Sequence, residues 1–134
     1  MNWAIFLDRD GVINVDVHHL RDPQQLQLIP RAAQAIQRIN ARSIPAIVVT
    51  NQAAIARGYL SEKQVDAIHQ ALSALLKPEG AHIDRYYYCP HHPTEGLPPY
   101  RIDCECRKPK PGMLLQAAQD LELDLARSYF IGDT

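Results

Sequence analysis

The stretch IFLDRDGVIN, residues 5 to 14, runs from apolar residues into two carboxylates, Asp8 and Asp10, with one residue between them. Side chains at i and i+2 of a strand share a face, so a strand running into Asp8 would hold both acids on one side. Two anions that close repel each other unless a cation or a proton lies between them. A metal site is one chemistry such a pair supports; a nucleophile with its proton donor is the other. The same residues are also a turn signal, because Asp-Gly flanked by apolar residues favours a tight reversal. An EF-hand is excluded, since its Gly stands at the sixth position of the loop, whereas Gly11 follows Asp10 directly.

Other groups with chemical capacity recur along the chain. VVTNQ offers Thr50 and Asn51, whose side chains and N–H groups suit phosphate oxygens and equally suit a helix cap. CRKPKPG brings Arg107 and Lys108 close to two prolines, which reads either as cations fixed on a stiff loop or as a solvated basic turn. IGDT brings Asp133 after an apolar run, where Gly-Asp is again an ordinary turn pair. Carboxylates, hydroxyl and amide donors and a lysine together form the inventory for magnesium-assisted phosphoryl transfer.

A second constellation is CPHHP followed by CEC, which gives Cys89-x-His91 and Cys104-x-Cys106. Three thiols and an imidazole complete a tetrahedral zinc set with no open position, the mark of a structural site. Free cysteines beside a surface histidine pair are the alternative. His92 competes with His91 as the nitrogen ligand. Zinc would also explain how a loop from about residue 89 to 106, with Pro90, Pro93, Pro98 and Pro99, is ordered without a regular period.

The elements that must position these groups alternate. Ala4 to Leu7 reads as a strand. Arg31 to Arg42 carries Ala32, Ala35, Ile36 and Ile39 on one helical face. Ile44 to Val49 is an apolar run suited to a strand covered on both sides. Ser61 to Gln64 is a capping-box pattern opening a helix with Val65, Ile68, Leu72, Leu75 and Leu76 as its stripe. Ile83 to Tyr88 reads as a third strand. Pro111 suits the first turn of a helix through Leu121, and Ser128 to Ile131 reads as a fourth strand. This order predicts an α/β doubly wound domain with a mainly parallel sheet, in which ligands bind beyond the carboxyl ends of the strands. Asp8, Asp10, Thr50, Asn51 and Asp133 all fall at such ends. His18, His19, His69 and His82 have no assigned task from their own spacing.

The 134 residues fit a single domain, residues 1–134, with 46% hydrophobic and 22% charged residues and a formal net charge of -1. That balance gives no global attraction to nucleic acid or to an anionic membrane, so neither is expected as a partner and any anion must be held by local groups. The short apolar run at the N-terminus is not a signal peptide, and no stretch is long enough to span a membrane. With three cysteines that cannot all pair internally, a reducing cytoplasm is the expected compartment and a monomer the expected state.

DRDGVIN, VVTNQ, CRKPKPGM and IGDT resemble, in order and across the chain, the four motifs of the haloacid dehalogenase-like (HAD) phosphatases. The resemblance implies Asp8 as nucleophile and Asp10 as the acid that protonates the leaving alkoxide and then activates water. It implies Thr50 and Lys108 as stabilisers of the transferring phosphoryl group. Mg2+ would be held by Asp8, Asp133 and the backbone carbonyl of Asp10, with Thr134 nearby. The zinc loop resembles the branch acting on histidinol phosphate or on heptose bisphosphates, and TNQ with IARGY (Ile55 to Tyr59) is most similar to the heptose bisphosphate members.

In that branch the positions of Asp16, Val17, His18, His19, Gln52, Ala53 and Arg107 contact the phosphorylated sugar substrate, with Asn51 beside them and Arg57 near a second phosphate. The activity implied is release of the 7-phosphate of a heptose 1,7-bisphosphate. Histidinol phosphate as substrate, or a non-catalytic zinc-stabilised domain, are the alternatives. Ala53-Ala54 stands where the family usually has Ser-Gly. Members of the family continue past GDT, so the fold is expected to be cut short at its C-terminus, leaving the last strand an exposed edge.

Overall fold

The computed structural model describes residues 2–17, 20–96, 98–108 and 110–132. Strand β1 (Ile5–Leu7) is followed by helix α1 (Ala32–Ala41), strand β2 (Ala46–Asn51), helix α2 (Glu62–Leu76), strand β3 (Arg85–Cys89), helix α3 (Gly112–Leu121) and strand β4 (Tyr129–Ile131). The strands form one sheet in the order β3-β2-β1-β4, and every pairing is parallel.

The apolar run of β2 is explained by cover on both faces. Val48 joins Leu7, Ile36, Leu72 and Leu76 under α1 and α2, while Ile47 and Val49 join Phe6, Met113 and Ala117 under α3. Residues 46 to 49 are fully buried. Helix α2 begins as its sequence demands. Ser61 Oγ accepts from Gln64 N–H at 3.2 Å and Gln64 Oε1 accepts from Ser61 N–H at 2.7 Å, so two N–H groups at the open end of the helix are satisfied.

Two strands run further than their apolar residues suggest. The expected strand over 44–49 reaches Asn51, and the one over 83–88 reaches Cys89, because Thr50 and Asn51 pair with Tyr88 and Cys89. Backbone pairing continues to Gln52 N–H, which donates to Cys89 C=O at 2.8 Å. The polar residues Thr50 and Asn51 are therefore held by the sheet rather than by a loop. The helix expected from Pro111 begins at Gly112, with Pro111 in the capping position.

Strand β4 lies at the edge of the sheet, with Tyr129, Phe130 and Ile131 all exposed. No helix of the described residues is long and apolar enough to cross a membrane.

Candidate active site and metal cluster

The strand order turns back at β1, since β2 and β3 lie on one side of it and β4 on the other. Such a switch point leaves a crevice beyond the strand ends. A cavity of about 560 Å³ opens there, lined by Asp8, Asp10, Asp16, Val49, Thr50, Asn51, Lys108, Lys110, Met113, Leu114 and Phe130. Asp8 follows the last residue of β1, and its N–H donates to Ile131 C=O of β4 at 2.9 Å. The chain then reverses: Ile13 N–H returns to Arg9 C=O at 2.9 Å, and Gly11 adopts φ 83, a left-handed conformation that glycine enters without strain. DRDG thus forms a turn, and that turn sets Asp8 and Asp10 at the cavity.

Lys108 reaches Asp8 from the opposite wall. Its Nζ lies 3.1 Å from Asp8 Oδ1 and donates to Val49 C=O at 3.0 Å. Asn51 aims it: Asn51 Oδ1 accepts from Lys108 N–H at 2.9 Å and Asn51 Nδ2 donates to Lys108 C=O at 3.3 Å. The ammonium also lies 5.3 Å from the Phe130 ring centroid, within cation–π range.

Asp10 is gripped by four side-chain nitrogens. Arg9 Nε donates to Oδ1 at 3.1 Å and Arg9 Nη2 to Oδ2 at 3.3 Å. Asn14 Nδ2 adds a bond to Oδ1 at 3.0 Å, and Gln52 Nε2 one to Oδ2 at 3.4 Å. Gln52 also donates to Thr50 Oγ1 at 3.0 Å, linking the two strand ends. The Asp8 carboxylate and the Asp10 backbone carbonyl are hard oxygens at the end of β1, a donor type that fits Mg2+ and its habit of keeping waters and phosphate as further ligands.

Asp16 lines the cavity, and Val17 is 39% exposed beside it in the chain. Ala53 is half-buried in the turn after β2. Two arginines are engaged outside the lining: Arg57 pairs with Glu95, and Arg107 Nη1 donates to His91 C=O at 3.2 Å. His18, His19, Asp133 and Thr134 lie outside the described residues. Lys110 is a lining cation that the motif reading passed over; it pairs with Asp103 at 2.8 Å.

The sulfur–nitrogen constellation gathers at the end of β3. Ligand atoms of Cys89, His91, Cys104 and Cys106 all lie within 4.8 Å of one another. Cys106 Sγ is 3.5 Å and Cys89 Sγ 3.8 Å from His91 Nδ1, while the sulfurs stand 3.2 Å (Cys89 to Cys104) and 2.9 Å (Cys104 to Cys106) apart. These approach the roughly 3.7 Å ligand separations of tetrahedral zinc with Zn–S bonds near 2.3 Å. His92 is turned elsewhere: its Nδ1 accepts from the N–H groups of Thr94 and Glu95 at 3.2 and 3.0 Å.

Burial raises the thiols of this group. At Cys104, burial is outweighed by hydrogen bonds from Cys106, Cys89, His91 and the Arg107 backbone, which bring it down to about 6. Cys106 moves the other way, raised by burial and by its two thiol neighbours. One member of the set is thus prepared as a thiolate, the form that binds metal. Gly112 keeps the group against α3. Its N–H donates to Glu105 C=O at 2.8 Å, and a Cβ there would collide with the same carbonyl.

Comparison with known proteins places this geometry in a family. The family model described as Polynucleotide kinase 3 phosphatase matches residues 7–134. D-glycero-beta-D-manno-heptose-1,7-bisphosphate 7-phosphatase of Pasteurella multocida (strain Pm70) is 46% identical over 133 residues, covering 99% of this chain and 72% of that protein. The protein of the same name from Escherichia coli (strain K12) is 41% identical over 130 residues, covering 97% of this chain and 68% of that one.

Among solved structures, a protein from Mesorhizobium loti described as a HAD-like phosphatase superimposes with a TM-score of 0.95 at 43% identity, covering 99% of this chain and 64% of that chain. D,D-heptose 1,7-bisphosphate phosphatase from B. bronchiseptica, complexed with magnesium and phosphate, superimposes with a TM-score of 0.85 at 35% identity, covering 100% of this chain and 71% of that chain. The chain thus spans about two thirds to three quarters of the length of these relatives. It belongs to the HAD-like phosphatases, in the family of the D-glycero-beta-D-manno-heptose-1,7-bisphosphate 7-phosphatases.

Proposed function

We propose that this chain is a magnesium-dependent phosphatase that removes the 7-phosphate of D-glycero-D-manno-heptose 1,7-bisphosphate, with the β anomer preferred. One observation carries the reading. Asp8 Oδ1 lies 3.1 Å from Lys108 Nζ at a cavity that Asp10 and Thr50 also line. The names of the relatives support the substrate and its anomer.

A carboxylate is a nucleophile that needs no neighbouring base, unlike a serine hydroxyl. An Asp8 oxygen attacks the 7-phosphorus, forming an aspartyl phosphate as the bond to the C7 oxygen breaks. Asp10 gives its proton to that departing oxygen. It then takes a proton from water as the water attacks the same phosphorus, which releases phosphate and restores Asp8. Lys108 and Thr50 offer their cation and hydroxyl to the phosphoryl oxygens through both steps. Asp8, Asp133 and the Asp10 carbonyl would hold Mg2+, which would supply charge neutralisation between carboxylates and phosphate. Asp16 and its neighbours through His19, with Gln52, Ala53, Arg57 and Arg107, orient the sugar and its second phosphate. Cys89, His91, Cys104 and Cys106 would hold Zn2+, which would order the loop that carries Lys108.

The test measures phosphate release from both anomers of the heptose bisphosphate and from histidinol phosphate, with and without magnesium. Faster magnesium-dependent turnover of the β-heptose bisphosphate is expected. A higher kcat/KM for histidinol phosphate would overturn the substrate assignment. No turnover of any of the three would overturn the enzyme reading.

A further inference from the structure

The proposed reaction gives Arg9, beside the site, no task of its own. Arg9 is fully buried, with a relative exposure of 0%. A guanidinium keeps its charge, so complete burial is tolerated only where its donors find partners. Nε and Nη2 go to Asp10. Nη1 lies 3.1 Å from His69 Nε2 on α2. Arginine can only donate, so Nε2 must accept, and His69 is the neutral tautomer with its proton on Nδ1. Burial first, and the Arg9 charge second, hold His69 down at about 3, which agrees with that assignment.

The imidazole is itself clamped. It stacks on Tyr86 at 4.5 Å between centroids and 12° between planes, and meets Tyr88 edge-on at 6.1 Å. Tyr86 is fixed in turn by a 2.8 Å hydrogen bond between its hydroxyl and Ser73 Oγ. His69 sits beside Ile68 on the buried face of α2, where an aliphatic side chain would avoid desolvating a polar ring. What the histidine adds there is an acceptor aimed at Arg9.

We propose that His69 is a positioning residue for the phosphoryl-transfer site. By accepting from Arg9 Nη1, it fixes the guanidinium fork that holds the Asp10 carboxylate where it exchanges a proton with the leaving group and with water. This rests on the role assigned to Asp10 under the proposed function. Asn14 and Gln52 hold the same carboxylate from other sides, so loss of His69 misaligns Asp10 without releasing it.

Two substitutions separate ring packing from hydrogen bonding. His69→Phe keeps an aromatic ring against Tyr86 and removes the acceptor. His69→Gln keeps an acceptor and removes the ring. The measurements are magnesium-dependent turnover of the heptose bisphosphate and of p-nitrophenyl phosphate, thermal unfolding, and solvent exchange of the Arg9 Nε–H by NMR. For His69→Phe, kcat should fall about 10- to 100-fold with KM within about twofold, the scale of a small misplacement of a reacting group. Exchange at Arg9 Nε–H should accelerate. His69→Gln should recover kcat to within about threefold of wild type, even if its melting temperature is the lower of the two. His69→Leu repeats the deletion in a smaller side chain, should the phenyl ring not be accommodated.

A wild-type kcat and an unchanged Arg9 exchange rate in both the Phe and Leu variants would overturn the assignment of His69 alone. So would losses in all variants that follow stability rather than the presence of an acceptor. A wild-type protein without turnover on either ester would instead remove the catalytic reading beneath it.

Discussion

Two regions deliver groups to the same cavity, and they are kept in place by different forces. On one side, β1 and β2 present Asp8, Thr50 and Asn51 from strands whose Phe6, Leu7 and residues 46–49 are almost wholly buried. On the other, the segment from Pro90 to Pro111 presents Lys108 with no helix or strand among its described residues. Its backbone bonds among the described residues include His92 and Ile102 N–H to Tyr100 C=O, at 3.1 and 3.0 Å, Lys110 N–H to Arg107 C=O at 2.9 Å and Gly112 N–H to Glu105 C=O at 2.8 Å.

Side chains order the second region instead. The Cys89, His91, Cys104 and Cys106 group gathers its two ends. The Glu62 carboxylate at the start of α2 accepts from the Tyr88 and Tyr100 hydroxyls at 3.0 and 2.8 Å, and Asn51 fastens Lys108 to β2. Burial in a sheet is insensitive to metal and nearly insensitive to pH. Thiolate ligation and exposed carboxylate bonds depend on both. The two walls of one site should therefore fail under different treatments.

The sharpest contrast comes from removing the proposed nucleophile on the buried wall. Asp8→Asn is nearly isosteric, so the melting temperature should stay within a degree or two while turnover falls on the order of 10⁴-fold or more. Steady-state kinetics beside calorimetry checks both halves, and an amide variant retaining a tenth of wild-type turnover would take Asp8 out of that role.

Attacking the loop wall should cost less activity but more order. Chelation, or Cys104→Ser, should lower turnover roughly 10- to 100-fold, in the range seen when groups supporting a metal site are lost. Amide exchange should rise across 90–106 and remain slow in β1 and β2. Metal analysis should find one zinc per chain, held less tightly as the pH falls because protons compete with the metal for the ligand thiolates. Full activity in Cys104→Ser, or no zinc in carefully prepared protein, would erase the distinction between the walls.

Cutting the link between the walls should give an intermediate effect. Asn51→Ala removes both bonds to the Lys108 backbone. Two such bonds at about 1 kcal/mol each predict a loss of about 30-fold in kcat/KM with the fold intact. Unchanged kinetics would mean that Lys108 is held sufficiently by Val49 and Phe130.

A further effect is one of stability rather than turnover, and it belongs to helix α2 behind the sheet. His69 has its folded pKa lowered from 6.5 to about 3 by burial and by Arg9. Its folded value lies below its unfolded one, so the unfolded chain takes up the proton first. Stability should then decline as pH falls from about 6.5 toward 3, by at most about 1.4 kcal/mol per pH unit from this group. Denaturant titrations of wild type and His69→Phe across that window test it. Equal slopes in the two proteins would show that His69 does not carry the effect.

What the sequence by itself determined is whatever depends on neighbours along the chain. Period and capping signals placed the helices near 31–42, 61–76 and 111–121, and the alternation of elements specified a parallel α/β sheet. The carboxylates of Asp8 and Asp10 were legible because a strand must end where charge begins. Spacing brought out Cys89, His91, Cys104 and Cys106 for the same reason.

Tertiary structure decided what depends on partners distant in sequence. The extension of β2 through Thr50 and Asn51 needed β3 beside it. The turning of His91 into the thiol group, with His92 left to cap a turn, needed the folded loop. Lys110 looked like one more charge in a basic stretch until α3 and β4 closed the cavity around it. His69 has no task that its own spacing assigns. Its partner Arg9 lies sixty positions earlier, 3.1 Å away in space. A hydrogen bond is set by distance in space, and local periodicity carries no record of which distant residue the fold will bring within reach.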